Sequence, residues 1–235
     1  MVKVKIDRRK TYGIIIDTET ANGLDDPFCY DICWQIEDSY GNCYKSRAFI
    51  NADVFLGMKE LMKSSYYANK IPDYWKMIMR GVFNMKNKNK PKTLLSSEIR
   101  LKKDIEEYNV KFICAHNARF DYNALNKTER YLTKSKYRFA IPYGITWFDT
   151  MKMAKQVIAT MPTYRKFCEE NGYMTKHKTP RPRLTAEIIF RFISKDNDFI
   201  EEHMGLEDVD IERQIFQYCR KTRRIALDDC KLWAD

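Results

Sequence analysis

The chain has 235 residues, of which 44% are apolar and 31% are charged. This balance is typical of a globular protein with a sizeable core and excludes a disordered or fibrous chain. No apolar run approaches the roughly 20 residues that a membrane-spanning helix needs. The charged N-terminus, MVKVKIDRRK, lacks the apolar region of a secretion signal. We therefore expect a cytoplasmic protein with no membrane partner.

The net charge indicates the class of partner, and the cysteines indicate the cellular compartment. Lysine and arginine number 42 against 32 aspartates and glutamates, which gives a net charge of +10. Such an excess indicates a polyanionic partner, most commonly nucleic acid, although it could also serve solubility alone. The seven cysteines include no CxxC pair, so buried thiols in a reducing compartment are favoured over a zinc site.

The predicted strands come mainly from the first half of the chain. A β-branched run over residues 12–17 predicts a buried strand. Residues 29–37 and 42–50 surround the turn sequence DSYGN and predict a hairpin. Residues 110–115 and 145–148 predict a fourth and a fifth strand.

Helical patterns account for most of the remaining chain. Asp149 has the chemistry of an N-cap and Gly172 that of a C-terminal stop. The order of elements predicts an α/β fold with a hairpin on one side of a parallel core, in a single domain spanning residues 1–235. The predicted helices cover residues 54–63, 73–80, 94–108, 120–132, 150–158, 164–171, 184–193 and 206–221.

Two basic segments are candidates for contact with phosphates. Residues 86–92 read KNKNKPK, and residues 176–183 read KHKTPRPR. Solvated loops are the simpler interpretation of both, and a nucleic-acid contact is the alternative for the first.

The first candidate site lies where we expect the first strand to end. Asp17 and Glu19 are two residues apart, so their side chains point to the same side of a strand. Two such carboxylates repel each other and favour a divalent cation between them. Alternatively, the pair marks only an exposed strand end.

The second candidate follows the fourth strand, where the sequence continues as HNARFD over residues 116–121. Ligand sites of α/β sheets gather at the carboxyl ends of strands. Asp121 would then lie near the start of the next helix, where the helix dipole alone also favours an acid. His116 could equally be a structural hydrogen-bonding residue.

The third candidate is the sequence EEHMGLED over residues 201–208. Gly205 breaks the chain before a helix, which places His203 on a loop and Asp208 in the first helical turns. A histidine beside a cleft can act as a general base because its ordinary pKa lies near neutrality. A surface histidine is the alternative.

Taken together, these segments resemble the DEDD superfamily of 3′–5′ exonucleases, which includes the epsilon proofreading subunit of bacterial DNA polymerase III. IIIDTET looks like the first motif of the family, HNARFD like the second, and HMGLEDVDIE like the third. WFDTMKMA is similar to the strand-to-helix element between the second and third motifs. The resemblance covers residues 11–220.

The third motif favours the histidine branch of this superfamily. The tyrosine branch has a tyrosine four residues before the last aspartate, whereas this chain has Met204 there and His203 one position earlier. Residues 54–108 depart from the compact members as a longer, basic helical insertion. The chain looks most like the stand-alone exonucleases that phages encode.

The resemblance implies an RNase H-like fold with a mixed five-stranded sheet flanked by helices. It also implies removal of nucleoside 5′-monophosphates from the 3′ end of single-stranded nucleic acid, with DNA favoured over RNA. Asp17, Glu19 and Asp208 would hold one Mg²⁺ or Mn²⁺ ion, and Asp17 and Asp121 a second. His203 would take a proton from the attacking water.

Further contacts and partners also follow from the resemblance. Thr18, Asn117 and Phe120 would touch the nucleic acid, although a loop-shaping hydrogen bond by Asn117 and packing of Phe120 beneath the site are alternatives. A DNA polymerase or replication protein is an expected partner in a proofreading role. An oligoribonuclease-like enzyme and an inactive nucleic-acid-binding module remain open.

Overall fold

The computed structural model describes residues 6, 7, 9–21, 26–65, 68–80, 82 and 93–233. In this part of the chain one mixed sheet has the strand order β3-β2-β1-β4-β5. The first three strands are antiparallel, and β4 and β5 run parallel to β1. This arrangement confirms the α/β fold with a hairpin beside a parallel core. The strands are β1 (Tyr12–Ala21), β2 (Phe28–Asp38), β3 (Cys43–Ile50), β4 (Phe112–Ala115) and β5 (Thr146–Asp149).

The first strand is longer than the sequence predicts. It continues past Asp17 to Ala21, because β2 pairs with it along its whole length, from Tyr12 opposite Asp38 to Ala21 opposite Phe28. The acidic motif therefore lies inside a paired strand, and the expected strand end at Asp17 is wrong. A register shift follows Glu19 in this ladder.

The helices follow the predicted pattern with one division. The predicted helix over residues 54–63 is two helices that separate near Gly57, where a Cβ atom would lie 2.3 Å from the Asp53 carbonyl oxygen. Only glycine allows that approach. The helices are α1 (Ala52–Phe55), α2 (Lys59–Ser64), α3 (Ile71–Arg80), α4 (Leu94–Tyr108), α5 (Ala118–Thr133), α6 (Thr150–Val157), α7 (Pro162–Glu170), α8 (Ala186–Ser194) and α9 (Leu206–Thr222), with 3₁₀ turns at Ala68–Lys70 and Asp228–Cys230.

The sheet separates two hydrophobic clusters. Ile15 of β1 faces the cluster that packs against α1–α3 and α6–α9, whereas Ile14 and Ile16 face the cluster that packs against α4 and α5. Both faces of β1 are thus covered, which explains why its sequence is continuously apolar before Asp17. All seven cysteines are free, and six of them are buried, as predicted.

The structure describes only one of the two basic segments. The basic run over residues 86–92 lies outside the described residues. The second basic loop, residues 176–183, connects α7 to α8 and is mostly exposed. Within the described ranges, no helix combines the length and the apolar character that spanning a bilayer requires.

Candidate active site

Three carboxylates from distant parts of the sequence converge at one place. Oxygen atoms of Asp17, Glu19 and Asp208 all lie within 4.8 Å of one another. The first two share one side of β1, since side chains alternate along a strand. Asp208 comes from the first turn of α9, which begins after Gly205. The structure therefore assembles the first and third motifs into one acidic cluster.

Several carboxylate oxygens of this cluster have no hydrogen-bond partner in the described part of the chain. Oδ2 of Asp17 and both carboxylate oxygens of Asp208 are buried and lack a hydrogen-bond partner among the described residues. The charge of Lys70 acts on Asp208 and lowers its pKa, against the effect of burial. Burial, together with the neighbouring carboxylates, raises the pKa of Asp17 and of Glu19 well above their ordinary values. Burial also raises the pKa of Asp208.

These features fit a divalent metal ion. A buried carboxylate without a partner is costly, and a cation held between several carboxylates removes both the desolvation cost and the repulsion. The donor atoms are all oxygens, which suits Mg²⁺ or Mn²⁺ better than a metal that prefers nitrogen or sulfur.

Asp121 reaches the same region from the start of α5. Its Oδ1 accepts hydrogen bonds from the backbone N–H of Thr18 at 3.1 Å and from the Thr18 hydroxyl at 2.9 Å. The parallel pairing of β1 with β4 ends at Ile15, so this carboxylate bonds a strand N–H beyond the ladder. Burial raises the pKa of Asp121, and its charge adds to the repulsion on Asp17. Asp121 thus borders the three clustered carboxylates.

His203 lies at the rim of the cluster, on the loop between α8 and α9. Its Nδ1 is 3.9 Å from Oε1 of Glu19 and 4.0 Å from Oε2 of Glu201. Partial burial and the charge of Lys70 lower the pKa of His203, which favours the neutral ring near neutral pH. A neutral imidazole in this position can accept a proton.

The residues predicted to touch nucleic acid occupy three different environments. Thr18 is buried, with its hydroxyl directed at Asp121. Asn117 has an exposed side chain and a positive φ of 64°, and its backbone N–H donates to Oδ1 of Asp149 at 3.1 Å. Phe120 is half-buried and lines a cleft along α5. Contact with nucleic acid stays a prediction for all three residues.

Two other predictions from the sequence concern neighbours of the site. Asp149 is the N-cap of α6, as predicted, because its Oδ1 accepts from the N–H of Met151 at 2.9 Å. His116 is held between the Thr150 hydroxyl and the Leu184 carbonyl, at 3.1 and 2.6 Å. Burial lowers the pKa of His116. These contacts favour the structural alternative for this histidine.

The sequence analysis assigned no role to three further acids near the cluster. Asp31 lies opposite Glu19 in the β1–β2 ladder, and burial raises its pKa to about 7. Burial raises the pKa of Glu201 to about 8. Glu212 lies one helical turn after Asp208 and has a buried oxygen without a partner among the described residues. The four-residue spacing on α9 was a visible signal for Glu212, and an acid inside an apolar strand was the signal for Asp31.

The sequence also gave no sign that α3 forms part of the site wall. The hydroxyl of Tyr74 shares its one proton between Oδ2 of Asp31, at 3.0 Å, and the backbone carbonyl of His203, at 3.4 Å. Tyr74 is 1% exposed and packs edge-on against Tyr30. A helix of the segment over residues 54–108 therefore contacts the loop that carries the candidate base.

Comparisons with known proteins support the fold. No protein-family model matches this sequence, and no curated protein sequence matches it. The zinc-bound complex of E. coli ExoI with single-stranded DNA is similar over 94% of this chain and 42% of its own, with a TM-score of 0.56 and 16% identity. Cell-death related nuclease 4, CRN-4, is similar over 89% of this chain and 64% of its own, with a TM-score of 0.55 and 9% identity.

A third structure, exonuclease X with 5′-overhanging duplex DNA, covers 93% of this chain and 96% of its own at 16% identity, with a TM-score of 0.46. The chain spans less than two thirds of CRN-4 and less than half of ExoI. The mixed five-stranded sheet and its flanking helices are the RNase H-like fold that the sequence predicts.

Proposed function

We propose that this chain is a metal-dependent 3′–5′ exonuclease of the DEDD superfamily, in its histidine branch. It removes nucleoside 5′-monophosphates from single-stranded nucleic acid, with DNA favoured. The observation that carries the proposal is the cluster of Asp17, Glu19 and Asp208, with unpartnered buried oxygens and His203 at its rim. The net charge of +10 supports a polyanionic substrate.

The acids divide into two candidate sets of metal ligands. Asp17, Glu19 and Asp208 would hold one Mg²⁺ or Mn²⁺ ion, and Asp17 together with Asp121 a second. Such ions, when bound, supply a hydroxide near neutral pH and stabilise the leaving oxygen. Thr18 fixes the direction of the Asp121 carboxylate through two hydrogen bonds to the same oxygen.

His203 is the candidate general base. Its lowered pKa keeps the ring neutral near pH 7, so that an imidazole nitrogen can take the proton of the attacking water. Tyr74 holds the backbone of this loop by its hydrogen bond to the His203 carbonyl. Glu201 and Glu19 flank the ring and stabilise the imidazolium that forms.

We also propose that residues 1–235 act as a single exonuclease domain. The support is that Tyr74 and Ile78 of α3 pack into the same hydrophobic cluster as α9, which carries Asp208. The segment over residues 54–108 is then a structural part of the catalytic domain.

The proposal is tested with purified protein and single strands of DNA and RNA, labelled at either the 3′ or the 5′ end. With Mg²⁺ or Mn²⁺ we expect early release of 3′ label as nucleoside monophosphate and gradual shortening of 5′-labelled strands. Chelation with EDTA should stop both. Cleavage that persists in EDTA, or that begins inside the strand, would contradict the proposal.

A further inference from the structure

Exposed aromatic side chains are concentrated in one segment of the described chain. Among all the described residues, seven tyrosine, phenylalanine and tryptophan side chains are exposed. Four of these seven lie between residues 131 and 143. Aromatic rings are normally buried, so a group of exposed rings marks a binding surface. The four are Tyr131 (49% exposed), Tyr137 (89%), Phe139 (49%) and Tyr143 (107%).

The same segment is strongly cationic on its outside. Residues 118–143 contain six lysines and arginines and two acids, Asp121 and Glu129, both of which are buried. Lys127 pairs with Asp26, and Arg138 pairs with Glu129 at 3.5 Å. Among the described residues, Arg130, Lys134 and Lys136 form no ion pair.

Cations and rings are interleaved in space as well as in sequence. The Arg130 guanidinium lies 4.7 Å from the centre of the Phe139 ring, and the Lys134 ammonium lies 4.3 Å from that of Tyr131. We call the set Arg130, Tyr131, Lys134, Lys136, Tyr137, Phe139 and Tyr143 the basic–aromatic face.

This face is connected to the carboxylate cluster along α5. A cleft of about 580 Å³ follows the helix and is lined by Phe120, Asn123, Lys127, Arg130 and Tyr131. It begins at Phe120, next to Asp121 in sequence, and reaches the face at Arg130, about 15 Å further along the helix axis at 1.5 Å per residue. A second cleft, of about 550 Å³, continues from Tyr122 to Phe139 and Tyr143.

We propose that the basic–aromatic face binds the single strand upstream of the 3′ end that lies in the carboxylate cluster. This inference rests on the proposed function for the position of that end. Arg130, Lys134 and Lys136 would contact phosphates, and Tyr137 and Tyr143 would stack on bases. Single-stranded nucleic acid is favoured because rings beside cations match its alternating bases and phosphates, and because paired bases have no free face for stacking.

The stacking part is tested by binding in EDTA, where no cleavage occurs. The affinity of the protein for a labelled oligothymidylate of about 20 nucleotides is measured by fluorescence anisotropy. Tyr137→Ala with Tyr143→Ala should weaken binding at least about tenfold. Both side chains are largely exposed, so folding should not change. The control is Tyr40→Ala. Tyr40 lies in the β2–β3 turn, outside the basic–aromatic face, and is likewise an exposed ring (73%) beside a cation, Lys10.

The charge part is tested by the salt dependence of the same binding. Lys134→Gln with Lys136→Gln should reduce the slope of log affinity against log salt by about 1.4, because each contact with single-strand phosphate contributes about 0.7. Lys166→Gln is the control, because Lys166 is exposed on α7, across the sheet from α5.

The outcomes separate this inference from the proposed function. Weakened binding by both double variants, with unchanged controls, supports the face even if the wild-type protein proves inactive in the cleavage assay. Binding and salt slope equal to those of the wild type overturn the inference even if cleavage is found. In that case the face serves another partner, such as a protein.

Discussion

Two groups of buried carboxylates in this fold have opposite surroundings. Asp104 of α4 is fully buried, and its oxygens accept from Arg100 at 2.6 Å, Arg47 at 3.2 Å and the Trp34 indole at 3.2 Å. Asp17 and Asp208 have buried oxygens with no partner among the described residues. Both groups pack against the same sheet, so burial alone does not explain the difference.

The contrast distinguishes a structural acid, Asp104, from the acids of the candidate site. Asp104 ties β2 and β3 to α4 through a satisfied network, which makes its burial tolerable. Within the described residues, Asp17 and Asp208 have no such network, so their burial is costly unless a cation binds. The convergence of three carboxylates, with oxygens within 4.8 Å of one another, is therefore the feature that marks the candidate site.

The largest expected effect is that of Asp17→Asn on activity. The variant should lose turnover, because this carboxylate is the proposed shared ligand of both ions. Its melting temperature without metal should equal or exceed that of the wild type, since repulsion with Glu19 and Asp208 is relieved. Mn²⁺ should raise the melting temperature of the wild type and not that of the variant. A variant with a near-wild-type rate would show that the site assignment is wrong.

Replacing the candidate base should give the next largest loss. His203→Ala should lower the rate of the chemical step about 10²–10⁴-fold. Metal-dependent stabilisation should survive, and high pH should partly restore the rate because hydroxide needs no base. The wild-type rate should rise with pH through the lowered pKa of His203, and the variant should lack this rise. His177→Ala serves as the control and should keep the wild-type profile.

Replacing the structural acid Asp104 should lower stability and leave activity unchanged. Asp104→Ala leaves Arg47, Arg100 and Lys45 without their shared partner, and we expect a loss of about 3 kcal/mol in the free energy of unfolding. Activity per folded molecule should not change. Urea denaturation checks the stability, and turnover measured on the folded fraction checks the activity. A selective loss of turnover would show that Asp104 also serves the candidate site.

Tyr74 is a buried structural residue that also contacts the loop carrying the candidate base His203. Tyr74→Phe removes its hydrogen bonds to Asp31 and to the His203 carbonyl, which should cost about 1 kcal/mol of stability. We also expect kcat to fall several-fold with KM unchanged. Tyr12→Phe, which removes a hydroxyl bonded to Asp7, should lower stability without the effect on kcat.

The smallest expected effect concerns a buried acid away from the site. Burial and the nearby Glu129 raise the pKa of Glu98 to about 8. The folded state therefore binds this proton more tightly than the unfolded state, so stability should fall as pH rises from the ordinary pKa of 4.5 through 8. Glu98→Gln should stabilise the protein by about 1 kcal/mol above pH 8 and have little effect near pH 4. Equal stability at both pH values would contradict this.

Local patterns in the sequence determined much of the fold. The helix over residues 94–108 has the predicted bounds, the hairpin forms around DSYGN, and Asp149 caps α6 as predicted. The same-side placement of Asp17 and Glu19 also follows from strand geometry alone. These features depend on periodicity, turn chemistry and capping, which act between residues close in sequence.

The tertiary structure decided what depends on contacts between distant segments. The extension of β1 through Glu19 to Ala21 required the full length of β2 as a partner. The approach of Asp208 to β1 required α9 to pack against the sheet, and the contact of Tyr74 with His203 joins residues 129 positions apart. Propensity and pattern do not encode such distances, because the packing of whole helices on the sheet sets them.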